Sequence, residues 1–268
     1  GLINALINYI FTEEYSLENF QNTLFQNGLF IQSKTSGEHA LISIEGLGET
    51  FETGMNLLHK IISGATISEE ALKNIKIDLF KSRINALSNK QLILREGLLN
   101  HVKYGSDNPF THRLSPQEVL DFSVEDANAL VRGLLDYPFK VYYYGDLEAN
   151  QAEQIVNQYF GAQKTTNEIP PLKEYNIKDN TQNTISVLDF PMVQTDILFQ
   201  AKCSDHFILE DLIMAEWYNQ YFGYGLSSIM FQEIREAKAY GYSTYAYFSS
   251  PAKKDKEHNL TAYLGTQP

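Results

Sequence analysis

The chain has 268 residues, of which 43% are hydrophobic, enough apolar material to fill the cores of two ordinary domains. Its 33 acidic and 21 basic residues leave a formal net charge of -12, which repels phosphate backbones and argues against a nucleic-acid partner. Cys203 is the only cysteine, which excludes an intramolecular disulfide and a cysteine metal cage, and no apolar run reaches the roughly 18 residues that a membrane span needs.

The opening text, "GLINALINYIF", is apolar from its start, and the closing "TAYLGTQP" follows directly on an alternating run, so both ends read as cuts through a larger protein. Ser16 to Leu24 has a serine cap and Leu17, Phe20 and Leu24 at helical spacing, which predicts a short helix. The stretch "LFIQSKTSGEHALISIEGL" holds two alternating runs around Ser36-Gly37-Glu38 and predicts a β-hairpin. Two amphipathic helices follow, one with Phe51, Met55, Leu58 and Ile62 on its apolar face, the other with Leu72, Ile75, Leu79 and Ile84. A further helix is expected over Gln91 to Tyr104, then a turn-rich loop, "GSDNPFTHRLSP", and two helices that each begin near a serine, Ser115 to Leu120 and Val124 to Leu135.

After Pro138 the text changes to "FKVYYYGD", a buried-strand pattern, followed by helical spacing from Leu147 to Phe160. This change places a domain boundary near Pro138, giving domains at 1–137 and 138–268, the first cut at its start and the second at its end. Thr165 to Thr184, with Pro170 and Pro171, reads as a polar connection or an extended edge. "TISVLDFP" and "QTDILFQAKCS" read as strands, His206 to Tyr221 as a helix, "GYGLSS" as a tight turn capping another helix that runs to about Lys238, and "YGYSTYAYFS" and "NLTAYLG" as strands. The fold class is α+β, with two related layered domains, each a mostly antiparallel sheet with helices on one face.

The six histidines, His39, His59, His101, His112, His206 and His258, are scattered, and none stands in an H-x-x-E-H or H-E-x-x-H arrangement. Neither a metal site nor a cofactor site is expected in this chain. Walker loops and serine nucleophile elbows are absent as well.

One stretch carries more specific information. The run "GYGLSSIMFQEIREAKAYGYSTYA" resembles the insulinase/pitrilysin-type (inverzincin) zinc metallopeptidases, whose domains carry a glycine-rich turn, two serines, "FQEIRE" and "AYS". Here these are Gly223 and Gly225, Ser227 and Ser228, and Phe231 to Glu236. Three upstream segments, "GLGETFETGMNLLHKII", "KYGSDNPFTHRLSPQEV" and "YYYGDLEANQAEQIVNQYF", extend the resemblance over nearly the whole chain.

That resemblance implies two homologous halves, each of two α/β domains, closing around a peptide. One half carries H-x-x-E-H and zinc; the other lends an arginine and a tyrosine seven residues apart. Arg235 and Tyr242 match that pair, and "GLINALINYIF" stands where the zinc motif would be, so the resemblance points to the zinc-free half. It implies a peptide or protein substrate, and a zinc-bearing homologous half as partner, in the same polypeptide or as a separate subunit.

Peptide hydrolysis builds negative charge on the scissile carbonyl oxygen, and a guanidinium and a phenol aimed there would stabilise it. Tyr240 stands two residues before Tyr242, and strand alternation would put both on one face. The competing expectation is that Arg235 pairs with Glu236 or Glu233 while Tyr242 packs. Two other functions remain open: a non-catalytic scaffold or processing-type subunit of the same fold, and a peptide-binding module. The acidic charge leans toward basic or neutral peptides.

Overall fold

The computed structural model describes residues 2–12, 15–35, 39–161, 167–179 and 182–266. The chain divides into two compact units, the first comprising Gly1–Arg83 and Leu114–Glu174, the second Ile84–Arg113 and Tyr175–Pro268.

The first unit begins with α1 (Leu2–Ile7) and α2 (Leu17–Gln26). Ser16 Oγ accepts from the Asn19 N–H at 3.2 Å, satisfying one of the donors that a helix start leaves unpaired. β1 (Phe30–Thr35) and β2 (Ala40–Glu45) form the expected antiparallel hairpin, in register from Phe30 opposite Glu45 to Thr35 opposite Ala40. Its Ser36-Gly37-Glu38 turn lies outside the described residues.

α3 (Phe51–Ser63) and α4 (Glu69–Leu87) follow. α3 buries Met55 and Ile62 as its spacing predicts, and also Leu57 and Ile61. α4 buries Leu72 and Ile75, but Ile84 is exposed, because the helix runs on past the core that its first half covers. The boundary between the units falls inside α4. Beyond it, the helix expected over Gln91 to Tyr104 is built as α5 (Lys90–Leu92), a π-wound segment (Ile93–Leu98) and α6 (Leu99–Tyr104), all in the second unit. The turn-rich loop that follows is organised by buried Asn108, whose Nδ2 donates to the Gly105 carbonyl at 2.6 Å while Oδ1 accepts from the Phe110 and Thr111 N–H groups.

The chain returns to the first unit with α7 (Pro116–Asp121), α8 (Val124–Arg132) and α9 (Ala149–Phe160). Ser115 and Ser123 each close a capping box, with Glu118 and Asp126 as the reciprocal partners. The hydrophobic core of this unit gathers Leu6, Ile10, Phe20, Met55, Leu72 and Val131, among others. Leu6 is fully buried, so α1 contributes apolar packing.

In the second unit β3 (Thr195–Lys202), α10 (Asp211–Tyr218), β4 (Gly241–Ser249) and β5 (Asn259–Thr266) follow in order. α10 continues into a π-wound turn (Asn219–Gly223), and a second π-wound segment (Met230–Ala237) precedes β4. The sheet is antiparallel throughout, in the order β3-β5-β4. α10 and both of these π-wound segments pack on β4.

The α+β class is thus observed, but two expected strands are not. "FKVYYYGD" and "TISVLDFP" have no regular secondary structure. Tyr142, Tyr144, Ile185 and Val187 are strongly exposed, and among the described residues no neighbouring strand takes up these segments' backbone groups or covers their apolar faces. The compact units also divide the chain elsewhere than at Pro138, because residues 84–113 group with the second unit. Among the described residues, no helix is long and apolar enough to cross a membrane.

Candidate functional site

The "GYGLSS" turn sets the position of the helix that carries Arg235. Gly223 lies so close to the Ala246 carbonyl of β4 that a Cβ there would overlap it, and Gly225 has φ +93°, a conformation that L side chains rarely adopt. Ser228 is buried, and its Oγ accepts from the Phe231 N–H at 3.2 Å, so the second of the two serines caps the segment. Buried Asn219 locks the same turn to the sheet. Its Nδ2 donates to the Phe248 carbonyl at 3.0 Å, and its Oδ1 accepts from the Phe248 N–H at 2.7 Å. One side chain thereby supplies both hydrogen bonds a neighbouring strand would have made on that side of Phe248.

Arg235 and Tyr242 come together. The guanidinium carbon of Arg235 lies 4.4 Å from the Tyr242 ring centroid and 4.7 Å from that of Phe231, so two aromatic faces hold the cation. Arg235 Nε stands 3.4 Å from Glu236 Oε1, one of the two ion pairs anticipated from sequence, while no Glu233 pair is present among the described residues. Tyr242 is 75% exposed, so it does not pack into the core. Both residues line an open cleft of about 350 Å³.

The register of β4 changes at this point. Gly241 faces Thr266 and Ser243 faces Gly265, leaving Tyr242 as the extra residue of a β-bulge. Tyr240 precedes the strand and is absent from the cleft lining, so the expectation that alternation puts both tyrosines on one face does not hold. The bulge interrupts the two-residue period on which that expectation rests.

Between the helix and the strand, Ala239 adopts φ +50°, and the Tyr240 N–H donates to the Ile234 carbonyl at 3.0 Å. A left-handed alanine costs about 1–2 kcal/mol that glycine avoids, partly offset by glycine's greater unfolded-state freedom. Ala239→Gly is therefore expected to raise stability by about 0.5–1 kcal/mol in denaturant titration, with no loss of the Arg235–Tyr242 stack.

Sequence reasoning missed the rest of the cleft. Arg95, on the π-wound segment between α5 and α6, lies 5.5 Å from the ring centroids of both Tyr245 and Tyr263, which stack on each other at 5.4 Å. Arg95 Nε donates to Gln91 Oε1 at 3.1 Å, and Gln91 Nε2 donates to Tyr263 Oη and Asp196 Oδ2, both at 3.2 Å. Tyr263 Oη in turn donates to Asp196 Oδ1 at 2.9 Å. Burial, reinforced by the Asp196 carboxylate, pushes the Tyr263 phenol above the ordinary phenol range, so it stays a donor. Arg95 is separated from Arg235 by 140 residues, and no local pattern connects them.

Among the described residues, no group of three or more His, Cys, Asp or Glu side chains could hold a metal ion. The described residues thus bring no three such ligands around one point, the number a catalytic zinc site needs. A separate apolar cavity in the first unit, lined by Ile10, Phe20, Leu24 and Ile42, offers no titratable or nucleophilic side chain.

Residues 139–268 match the profile of the peptidase M16 inactive domain. No curated protein matches the chain by sequence. Among solved structures, the peptidase M16 inactive domain from Pseudomonas fluorescens is similar with a TM-score of 0.75 at 18% identity, covering 99% of this chain and 64% of that one. The ferredoxin protease FusC in complex with Arabidopsis ferredoxin gives 0.78 at 14% identity, covering 100% of this chain and 29% of that one. The periplasmic protease PqqL from Escherichia coli gives 0.71 at 16%, again covering 100% and 29%. The chain therefore spans about two thirds of the first of these structures and less than a third of the other two.

Proposed function

Because residues 139–268 make this chain a member of the M16 peptidase family, in its inactive domain, we propose that it is the zinc-free half of such a peptidase, clamping a peptide while a zinc-bearing half supplies hydrolysis. The observation that carries this reading is the meeting of Arg235 and Tyr242 at 4.4 Å in one open cleft. Tyr242 can give one O–H hydrogen bond and Arg235 several in a fixed fork, and both can donate to a carbonyl oxygen as it gains charge. The stack on Phe231 and the short turn into β4 hold the donors in place beforehand, so little reorganisation is needed when charge develops. A fold neighbour described as a ferredoxin protease, in complex with ferredoxin, supports a protein or peptide as the ligand. The profile match begins at residue 139, which supports the domain boundary proposed near Pro138.

Purified alone, the chain is expected to retain no stoichiometric zinc after dialysis and to cleave no peptide. Combined with a zinc-bearing half, peptide hydrolysis is expected to appear and to depend on this chain's presence. Zinc bound at one equivalent by the isolated chain, or hydrolysis by the zinc-bearing half that this chain does not change, would overturn the proposal. The second result would favour the scaffold reading.

A further inference from the structure

We infer that the cleft is also a carboxylate-binding subsite, in which Arg95, with the Arg235 donor that the scissile carbonyl leaves free, holds an acidic group of the peptide: its C-terminal carboxylate or an Asp or Glu side chain. This inference rests on the clamp reading and specifies the chemistry that the clamp recognises. Arg95 engages Gln91 through Nε, and Arg235 engages Glu236 through Nε. Among the described residues, the terminal Nη groups of both have no hydrogen-bond acceptor. Each guanidinium is held by aromatic rings, Arg95 by Tyr245 and Tyr263 and Arg235 by Phe231 and Tyr242, so both forks are fixed before a ligand arrives.

Among the described residues, no Asp or Glu lines this cleft. Of the carboxylates beside it, Glu236 lies 3.4 Å from Arg235 Nε, and Asp196 is occupied by Tyr263, Gln91 and Lys90, with Lys90 Nζ at 3.6 Å. A planar guanidinium fork suits a carboxylate, which accepts several hydrogen bonds in one plane, and both forks line this one cleft.

The net charge of -12 does not oppose this locally, because at physiological salt distant charges are screened over about 8 Å, while the two cations line the site itself. The cleft thus reverses, at short range, the lean toward basic or neutral peptides that the overall charge suggests.

The test uses fluorescence anisotropy with the full-length protein, a chelator being present to prevent turnover. Four labelled peptides of one sequence are compared: free or amidated at the C-terminus, and with Asp or Asn at one internal position. One of the two charged forms is expected to bind about tenfold more tightly than its neutral counterpart, the scale of a charge-assisted bidentate contact. Which pair shows the difference identifies the source of the carboxylate. In Arg95→Gln that ratio is expected to fall to about one, and in Arg95→Lys, which keeps the charge but loses the fork, to an intermediate value. A purely structural role for Arg95 would weaken all four peptides by the same factor and leave the ratio at about ten, which overturns the inference. Tight binding of all four peptides to the wild type with no acidic preference overturns it too, yet leaves the clamp standing. Binding of none would remove the clamp reading and this inference with it.

Discussion

Replacing Tyr242 by phenylalanine in the complete two-half protein is expected to lower kcat roughly a hundredfold, with KM changed little and zinc content unchanged. The substitution removes only the O–H. The ring remains for Arg235, whose guanidinium carbon lies 4.4 Å from its centroid, so the cation keeps its place and the measurement isolates one donor. Removing a single preorganised oxyanion donor costs on the order of 3 kcal/mol, which is the hundredfold expected here, and it falls on kcat because the interaction strengthens only as charge develops. Arg235→Ala is expected to lose at least as much, since it removes a charge and frees the Tyr242 ring as well. The alternative role for Tyr242, packing, is already weakened by its exposure of 75%, and it demands wild-type turnover in Tyr242→Phe. Tyr240→Phe is expected to be silent, because Tyr240 is absent from the cleft lining.

The largest stability effect is expected at Asn219. Its buried side chain makes two hydrogen bonds with the Phe248 backbone, at 2.7 and 3.0 Å, on the side of β4 that carries no further strand among the described residues. Asn219→Ala leaves a donor and an acceptor of β4 without partners in a site with little access to water. Each such group costs about 1–3 kcal/mol, so a loss of roughly 2–6 kcal/mol is expected by denaturant titration. Faster amide hydrogen exchange at Phe248 would locate the damage. The neighbouring Gln220→Ala removes a hydrogen bond to the exposed Glu216 side chain and is expected to change stability by no more than about 0.5 kcal/mol. Equal effects from the two substitutions would show that Asn219 does not hold β4.

The features of this fold that were legible in the sequence are those set by local pattern. The hairpin of β1 and β2, the serine-capped helices, the "GYGLSS" turn and the strands β4 and β5 each follow from side-chain period or from a residue with a single conformational use. Arg235 and Tyr242 are singled out by the family resemblance and not by local pattern, and the short turn between a helix end and a strand start is what lets the two side chains meet.

Other features depend on partners that a local window does not contain. "FKVYYYGD" and "TISVLDFP" alternate like strands but have none beside them among the described residues, so their pattern alone does not build a ladder. The π-wound segments that carry Arg95 and Arg235 share the apolar spacing of an α-helix, and the period does not separate the two windings. The bulge at Tyr242 begins at Gly241, and that glycine is its one signal in the sequence, which simple strand alternation passes over. Arg95 and Gln91 joined the site only through the stacking of Tyr245 on Tyr263, two residues paired across β4 and β5.

The most direct measurement is a crystal structure of the complete protein with a peptide substrate analogue bound. The clamp account predicts the scissile carbonyl oxygen about 3 Å from both Tyr242 Oη and a terminal nitrogen of Arg235, with the peptide running along the cleft. A peptide seated elsewhere, or a scissile carbonyl beyond hydrogen-bond reach of both side chains, would contradict it.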